Sequence, residues 1–463
     1  MRPEPTVIHA RKALTGDGWC DDICVQIDAA GRIAAVSAGS GRPKSSADSI
    51  VGILLPAPAN LHSHGFQRAM AGLTERRGPD TTESFWTWRQ LMYRFLDRLG
   101  PEDFEAINAF AQMQMAEAGY AAVAEFHYVH HQVGGRPYDN LAELSERIFA
   151  AATDSGIGLT LLPVFYQFGG FGRRPLKGGQ RRFGNDPDRF ASLFGRLEST
   201  LPGLTPDCRI GTAVHSLRAA DPADLSAIAS LDSGGGPIHM HLAEQADEVT
   251  GSLAALGARP GEWLCDNADL SSRWCLIHCT QICPGEIDRL ARTGAITGLC
   301  PVTESSLGDG IFPAGRFLGA EGQFGVGTDS NIRISLAEEL RTLEYSQRLR
   351  DQSRAVLAEA ERSCGRLLFD AACTGGRVAT GRQGGVITAG LYADLLALDD
   401  THPDLDNRVG DTILDSFVFC GADGMITDLW SAGRHIVQQG QHVRRNRITA
   451  SYVARLRTLT DSL

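Results

Sequence analysis

Long apolar runs are missing from this 463-residue sequence, and their absence argues against a membrane protein. No segment approaches the roughly 18 consecutive apolar residues that a membrane-spanning helix needs. The first residues, MRPEPTVIHARKAL, contain no extended apolar stretch of the kind that marks a secretory signal peptide. We therefore expect a cytoplasmic protein with no membrane partner.

The sequence also has no excess of positive charge. Its 44 Lys and Arg residues are outnumbered by 55 Asp and Glu residues, which gives a net charge of −11. Because an acidic protein repels polyanions, nucleic acid is excluded as the expected partner. An anionic substrate would need a local group of arginines.

The cysteines form no recognisable disulfide framework. There are 11 of them, an odd number scattered along the chain, which favours free thiols in a reducing compartment. Cys275, Cys279 and Cys283 recur every four residues, but zinc ribbons use the spacing CxxC. We interpret these three as small buried apolar side chains rather than as a metal site.

What the sequence does contain is an alternation of short apolar runs with helix-like stretches, which begins near residue 50. This alternation is typical of a parallel sheet with crossover helices. Eight runs can be counted, at residues 51–57, 121–128, 158–166, 209–216, 236–243, 275–278, 295–300 and 322–329. Eight strands with helices between them predict an α/β fold, a (β/α)₈ barrel of the TIM type.

The two ends of the chain contain short strand-like and turn-like segments instead. We predict that residues 1–55 and 376–445 together form a small β-sandwich-like domain. Residues 56–375 would then form the catalytic barrel, and residues 446–463 a C-terminal helix.

Polar side chains gather where the predicted strands end. Catalytic groups of such barrels lie at the carboxyl ends of the strands, so one pocket should collect them. They are His62, His64, Glu125, His127, Tyr128, His215, His241, Glu244, His278 and Asp329.

Four of these residues predict a metal site. His62 and His64 lie on the same face of a strand, because strand side chains alternate. With His241 and Asp329 they supply three imidazoles and one carboxylate, which suits one Zn²⁺ or a similar divalent ion per chain. Iron, manganese and cobalt remain open.

Glu244 and His278 are left over, which indicates a catalytic rather than a structural metal. Glu244 can take a proton from a metal-activated water and return it to a leaving nitrogen. His278 can orient the hydroxide or stabilise the tetrahedral intermediate.

The sequence contains further histidines and two arginines close to these strands. His239 is interpreted as a satisfied interior histidine rather than a ligand, and a second metal site at His127, His130 and His131 is the weaker alternative to structural roles. Arg89 and Arg218 lie close to predicted strand ends or loops over the pocket, and are candidates for binding substrate carboxylates.

The motifs HSH, HLAEQ, His278 and Asp329 follow the first, fifth, sixth and eighth predicted strands, and they resemble the amidohydrolase superfamily, in its deaminase branch with a single metal ion. Longer stretches, such as NLHSHGFQRAMAGLTERRG, SFWTWRQLMYRF, AVAEFHYVHH and HSLRA, are similar to the formimidoylglutamate deiminase family of histidine degradation. Ser305, Ser306 and Asn331 depart from the pattern of that family.

The resemblance implies hydrolysis of N-formimino-L-glutamate to N-formyl-L-glutamate and ammonia, by attack of metal-activated hydroxide on the formimino carbon. It also implies a homodimer. It assigns catalysis to Glu244, His278 and Asp329, and substrate contacts to Gln67, Arg89, Tyr128, His215 and Arg218. The alternatives are another mononuclear deaminase acting on a nucleobase or a different amidine, and a non-catalytic barrel scaffold.

Overall fold

The computed structural model of the chain describes residues 5–38, 48–75, 85–421 and 423–460. Its strands are β1 (Thr6–Thr15), β2 (Gly18–Ile27), β3 (Ile33–Ala38), β4 (Ser49–Pro56), β5 (Ala59–Ser63), β6 (Ala122–His127), β7 (Gly158–Phe165), β8 (Arg209–Ile210), β9 (Thr212–Val214), β10 (Ile238–Leu242), β11 (Trp274–His278), β12 (Ile296–Leu299), β13 (Gln323–Val326), β14 (Leu395–Leu398), β15 (Ile426–Ser431), β16 (Arg434–Gln438) and β17 (Gln441–His442).

The helices lie mainly between the strands from β5 to β13. They are α1 (Phe85–Leu96), α2 (Pro101–Glu117), α3 (Glu143–Ser155), α4 (Pro187–Thr200), α5 (Leu225–Ala229), α6 (Ala246–Leu256), α7 (Pro260–Asn267), α8 (Pro284–Arg292), α9 (Pro301–Leu307), α10 (Ala314–Gly319), α11 (Leu336–Asp351), α12 (Cys364–Ala379), α13 (Thr412–Asp415) and α14 (Arg445–Thr460). Within the described ranges, none of them combines the length and the apolar character needed to cross a bilayer.

Parallel strands form a nearly closed barrel with the order β5-β6-β7-β9-β10-β11-β12-β13. The fourth strand of the barrel is divided into β8 and β9, and both of them pair with β7. The ring closes where Ser63, at the end of β5, pairs with Asp329 just beyond β13. The amides of Thr328 and Asp329 both donate to the carbonyl oxygen of His62, at 3.0 and 2.9 Å. The predicted barrel fold is confirmed.

Gly327 allows the two ends of the ring to approach each other. A Cβ atom at this position would lie 2.7 Å from both the amide nitrogen and the carbonyl oxygen of His62. Real Cβ atoms do not approach backbone that closely, so a side chain here would push the first and last strands apart.

A second sheet combines segments from both ends of the chain, in the order β17-β16-β15-β14-β4-β1-β2-β3. Strand β4 lies between β1, with which it is parallel, and β14, with which it is antiparallel. The core of this sheet includes the fully buried side chains of Leu54, Leu395 and Trp430. A separate small β unit built from the two ends of the chain was predicted from the sequence, and it is present.

One strand prediction was wrong. Residues 51–57 were expected to be the first barrel strand, but residues 49–56 form β4 of the small sheet. The run is apolar because β4 is a central strand of that sheet and is buried along most of its length. The first barrel strand is the shorter β5, whose sequence ANLHS contains three polar residues and so does not look like a buried strand.

A buried network of charged side chains joins the barrel to the small sheet. Asp207, just before β8, accepts hydrogen bonds from Arg434 of β16 at 2.9 and 2.5 Å and from Arg382 at 3.1 Å. Arg382 also donates to Asp394, just before β14, at 2.6 and 2.8 Å. Burial opposes ionisation of Asp207, but the two guanidinium groups outweigh it and hold the pKa of this carboxyl below its ordinary value.

We expect Asp207→Asn to lower the free energy of unfolding by about 3–5 kcal/mol, because the substitution leaves two buried guanidinium groups without their shared carboxylate. Since folding lowers the pKa of Asp207, its contribution is present above pH 4 or so and is lost as the pH falls below that value. Urea unfolding at pH 7 measures the change. The control is Asp288→Asn, which removes an ion pair with Arg316 whose side chains are 50% and 51% exposed; equal effects of the two substitutions would contradict the prediction.

Candidate active site

The four residues that were predicted to bind a metal come together at the carboxyl end of the barrel. His62 lies on β5, His64 directly follows it, His241 lies on β10 and Asp329 follows β13. One nitrogen or oxygen atom from each lies within 4.8 Å of the corresponding atoms of the other three. All four side chains are buried, so the cluster lies below the surface of the protein.

The spacing of the donor atoms fits a small tetrahedral ion. Nε2 of His62 lies 3.2 Å from Nε2 of His241 and 3.4 Å from Oδ1 of Asp329. Nε2 of His64 lies 3.2 Å from the same Oδ1 atom. With ligand bonds of about 2.0–2.1 Å, the edge of a tetrahedron is roughly 3.3 Å long. These three separations therefore match the edges of a tetrahedral site.

Backbone carbonyls fix the orientation of two of the imidazoles. Nδ1 of His64 lies 2.9 Å from the carbonyl oxygen of Phe126, and Nδ1 of His241 lies 3.1 Å from that of His215. A carbonyl oxygen only accepts hydrogen bonds, so both Nδ1 atoms carry the proton. Both Nε2 atoms are then free of protons in the neutral rings and face the cluster with a lone pair.

Burial keeps these histidines neutral. It lowers the pKa of His62 to about 3 and also lowers the pKa values of His64 and His241 below their ordinary value. For Asp329, burial would raise the pKa, but hydrogen bonding with His62 and the other nearby histidines outweighs burial and lowers it. Neutral imidazoles with an ionised carboxylate are the protonation states in which these side chains bind metals.

Glu244 and His278 lie beside the cluster. Glu244 follows β10, and His278 ends β11 with its Nε2 atom 3.8 Å from Oε1 of Glu244 and 3.9 Å from Oδ2 of Asp329. Burial raises the pKa of Glu244. Burial also opposes the protonation of His278, but the carboxylates of Glu244, Glu304 and Asp329 outweigh it and raise the pKa of His278 to about 10. A proton acceptor and a cationic donor therefore lie side by side.

A pocket opens above the cluster. It is lined by all five of the predicted substrate-contact residues, which are Gln67, Arg89, Tyr128, His215 and Arg218. Trp88, Met92 and Phe183 supply an apolar wall. The pocket thus combines an apolar surface with a few polar groups, as small-molecule sites do.

The polar groups of this pocket are held by hydrogen bonds between side chains. Nε2 of Gln67 donates to the hydroxyl of Tyr128 at 2.8 Å. Nη2 of Arg89 donates to the hydroxyl of Tyr166 at 3.0 Å. Within the described ranges the buried Nε atom of Arg218 has no hydrogen-bond partner, so this guanidinium still has a donor to offer.

Sequence reasoning missed Glu304, which accepts a hydrogen bond from Nδ1 of His278 at 3.2 Å. Glu304 lies on α9 and reaches His278 from the neighbouring strand-helix connection, so no sequence spacing relates the two residues. Its position in the motif TESSLGDG was the available signal. The missed Tyr166 directly follows β7 and holds Arg89.

The departures from the family pattern lie outside the pocket lining. Ser305 and Ser306 are exposed on α9. Asn331 is fully buried, and its Nδ2 atom donates to Oγ of Ser63 at 3.1 Å and to the carbonyl oxygen of Asp329 at 3.0 Å. Asn331 thus supports the closure of the barrel.

Three histidines outside the cluster bond to backbone carbonyls. Nε2 of His239 donates to Ala379, that of His130 to Val164 and that of His131 to Gly184, at 2.7, 2.9 and 2.8 Å. In the part of the chain that the structure describes, neither His127, His130 and His131 nor Cys275, Cys279 and Cys283 form a metal-binding cluster. The structural interpretation of these residues agrees with their contacts.

Comparison with known families gives two matches. The model of the amidohydrolase family matches residues 53–436, which include the whole barrel. The model described as formimidoylglutamate deiminase HutF, N-terminal domain, matches residues 5–45. The described part of the second match, residues 5–38, lies in the small sheet, away from the residues of the metal cluster.

Among the curated relatives, one matches over almost the full length and another over less than half of it. The formimidoylglutamate deiminase of Pseudomonas aeruginosa is 44% identical over 460 residues, which cover 98% of this chain and 100% of the relative. A 5-methylthioadenosine/S-adenosylhomocysteine deaminase of Nitratidesulfovibrio vulgaris is 33% identical over 202 residues, 42% of this chain and 44% of that one.

Solved structures agree with the fold. An amidohydrolase from Brucella melitensis superposes with a TM-score of 0.93 at 45% identity, covering 98% of this chain and 100% of that structure. An adenosine deaminase from Xanthomonas campestris, solved with bound zinc, has a TM-score of 0.81 at 22% identity and covers 99% of each chain, which bears on the fold alone. The chain therefore belongs to the metal-dependent amidohydrolase family and to its formimidoylglutamate deiminase branch.

Proposed function

We propose that this protein hydrolyses N-formimino-L-glutamate to N-formyl-L-glutamate and ammonia. The observation that carries the proposal is the pocket itself, which is lined by a buried carboxylate, Glu244, by two arginines and by residues of the His/His/His/Asp cluster. The full-length similarity to a formimidoylglutamate deiminase supports the same substrate. A substrate with two carboxylates and an amidine requires both the arginines and the His/His/His/Asp cluster with Glu244.

We propose that His62, His64, His241 and Asp329 hold one divalent metal ion, and that this ion is zinc. Three neutral imidazoles and one carboxylate at tetrahedral separations suit zinc better than magnesium or calcium, which prefer oxygen ligands at higher coordination number. A bound metal ion supplies Lewis acidity, which lowers the pKa of a water molecule from 15.7 to about 7.

Glu244 is the proposed proton shuttle. Its carboxylate accepts a proton from the attacking water while a bond forms between the water oxygen and the formimino carbon. Glu244 returns this proton to the terminal nitrogen, then takes the second proton from the same oxygen and passes it to that nitrogen. The bond between the nitrogen and the carbon breaks, ammonia leaves, and the oxygen becomes the formyl carbonyl. The buried position raises the pKa of Glu244, which makes it a stronger base than an exposed glutamate.

His278 and Asp329 complete the proposed catalytic set. The protonated imidazole of His278 lies beside Glu244 and can donate to the oxygen that becomes the formyl carbonyl. Asp329 presents Oδ2 toward His278 and Oδ1 toward His62 and His64, so its charge favours the cationic form of His278.

Arg89 and Arg218 are the proposed partners of the two substrate carboxylates. Guanidinium groups bind carboxylates through paired N–H donors, and the acidic protein supplies no general positive field that would replace them. Gln67, Tyr128 and His215 line the same pocket and are the proposed neutral contacts of the substrate. A neutral nucleobase needs no such pair of cations, which is why the nucleobase alternative is set aside.

The remaining parts of the proposal concern the cellular setting. We propose that the protein acts in histidine degradation, in the cytoplasm, as a homodimer. All 11 cysteines are described and none is in a disulfide, which supports a reducing compartment. The dimer is inferred from the family resemblance.

The first prediction from the proposed function concerns the products of the reaction. Purified protein incubated with N-formimino-L-glutamate should release ammonia and N-formyl-L-glutamate in equal amounts, which NMR and an ammonia assay detect. A strong chelator should abolish turnover, and added zinc should restore it. Formamide with glutamate would show instead that the other carbon–nitrogen bond is cut, and would contradict the proposed leaving group.

The second prediction concerns Glu244. Replacing it by glutamine keeps the shape but removes the proton acceptor, so kcat should fall by a factor of roughly 10²–10⁴. Metal content and KM should change little, because Glu244 is not one of the four clustered ligands. A variant that keeps kcat within a few-fold of the wild-type value would exclude Glu244 as the proton shuttle.

The third prediction concerns the arginines. Arg89→Met and Arg218→Met should each lower kcat/KM for formiminoglutamate by roughly 10- to 100-fold, since each loses a charge-assisted hydrogen bond of about 1.5–3 kcal/mol. Arg173→Met is the matched control, because its side chain is 71% exposed and lies outside the pocket lining. Full activity of both pocket variants would favour a substrate without carboxylates.

A further inference from the structure

The side chain of His278 lies at a strained point of the chain. It ends β11, and its backbone and that of Cys279 adopt left-handed conformations, with φ of 69° and 52°. Such conformations cost free energy in residues other than glycine and are found where the surrounding structure holds them. The imidazole is 1% exposed, so its orientation is set by protein contacts.

Glu304 provides the hydrogen bond that orients this imidazole. Its Oε1 atom lies 3.2 Å from Nδ1 of His278, and among the described residues no other hydrogen bond to the ring is present. The neighbours on the other side are further away, since Nε2 lies 3.8 Å from Glu244 and 3.9 Å from Asp329. These separations exceed the length of a hydrogen bond, so they do not fix the rotation of the ring.

Ring packing alone leaves two orientations open. The imidazole of His278 stacks on that of His241, with centroids 5.5 Å apart and planes 10° from parallel. A rotation of the ring by 180° about its bond to Cβ keeps this stacking but exchanges the positions of the carbon and nitrogen atoms. Among the described residues, only the hydrogen bond with Glu304 distinguishes the two orientations, and it places Nε2 on the side of Glu244.

The carboxylate of Glu304 is itself held in place. Oε1 accepts a second hydrogen bond from the amide of Cys300 at 2.9 Å, and the side chain is almost fully buried. Cys300 precedes α9, on which Glu304 lies, so the carboxylate is tied to the start of its own helix. A group fixed in this way can impose an orientation on its partner.

We propose that Glu304 is a positioning residue for the deimination reaction, which accepts the Nδ1 proton of His278 and thereby holds Nε2 toward Glu244 and the pocket. The inference rests on the proposed function and assigns to the α9 segment a part in catalysis that does not involve contact with substrate or metal. Its effect is expected in kcat, because a rotated imidazole leaves substrate binding intact but withdraws the donor from the reacting atoms.

The test compares three variants of the metal-loaded protein. Glu304→Ala removes the acceptor, whereas Glu304→Gln keeps an oxygen that can accept from both Nδ1 and the Cys300 amide. Glu339→Ala is the matched control, because Glu339 is also buried and accepts from Val302 in the first turn of α9, at 3.0 Å, but does not bond to His278. Each variant is measured for kcat, KM, metal content and melting temperature.

We expect kcat of Glu304→Ala to fall by about 10- to 100-fold with unchanged KM and metal content, and Glu304→Gln to restore most of it. The control should lose thermal stability without losing kcat. If Glu304→Ala keeps its kcat, if Gln is as poor as Ala, or if the control loses kcat equally, the inference is wrong.

Crystal structures of the two Glu304 variants separate this inference from the proposed function. The Nε2 atom of His278 should stay beside Glu244 in the glutamine variant and move away in the alanine variant, whatever substrate the protein uses. An unmoved ring in the alanine variant would overturn the positioning role. Failure of the wild-type protein to turn over formiminoglutamate would overturn the proposed function alone.

Discussion

The closure of the barrel between its first and last strands is the constraint on which the site depends. The pairing of Ser63 with Asp329 completes the ring, and the same approach brings His62 and His64 against the carboxylate of Asp329. Asn60 reinforces this seam, since it donates to the Thr328 hydroxyl at 2.6 Å and accepts from the Thr328 amide at 3.1 Å. The fold and the metal cluster are therefore products of one set of contacts.

Within the site, burial and charge act in opposite directions on neighbouring histidines. The cluster imidazoles bond to carbonyls or to one another, and desolvation keeps them neutral. His278 has the same degree of burial but faces three carboxylates, and these make it a cation. Neutral and protonated histidines thus lie a few ångströms apart. They have the same degree of burial, but their hydrogen-bond partners differ.

Much of this could be predicted from the sequence, because the signals were local. His62 and His64 lie two residues apart, near the end of β5 and directly after it. The order of the other polar strand ends follows from the alternation of strands and helices. Strand β5 was missed because Asn60, His62 and Ser63 are polar although they are buried. The apolar run before β5 belongs to the other sheet. The contact between Glu304 and His278 depends on how α9 packs beside β11, and no pattern along the chain encodes it.

The position of β4 has a consequence for the order in which the protein is made. Leu54 pairs with Ala397, so one edge of β4 stays unpaired until the whole barrel has been synthesised. An unpaired, apolar strand edge is prone to associate with other chains. During synthesis β4 must therefore wait for β14, and folding of the barrel between them brings the two halves of the small sheet together.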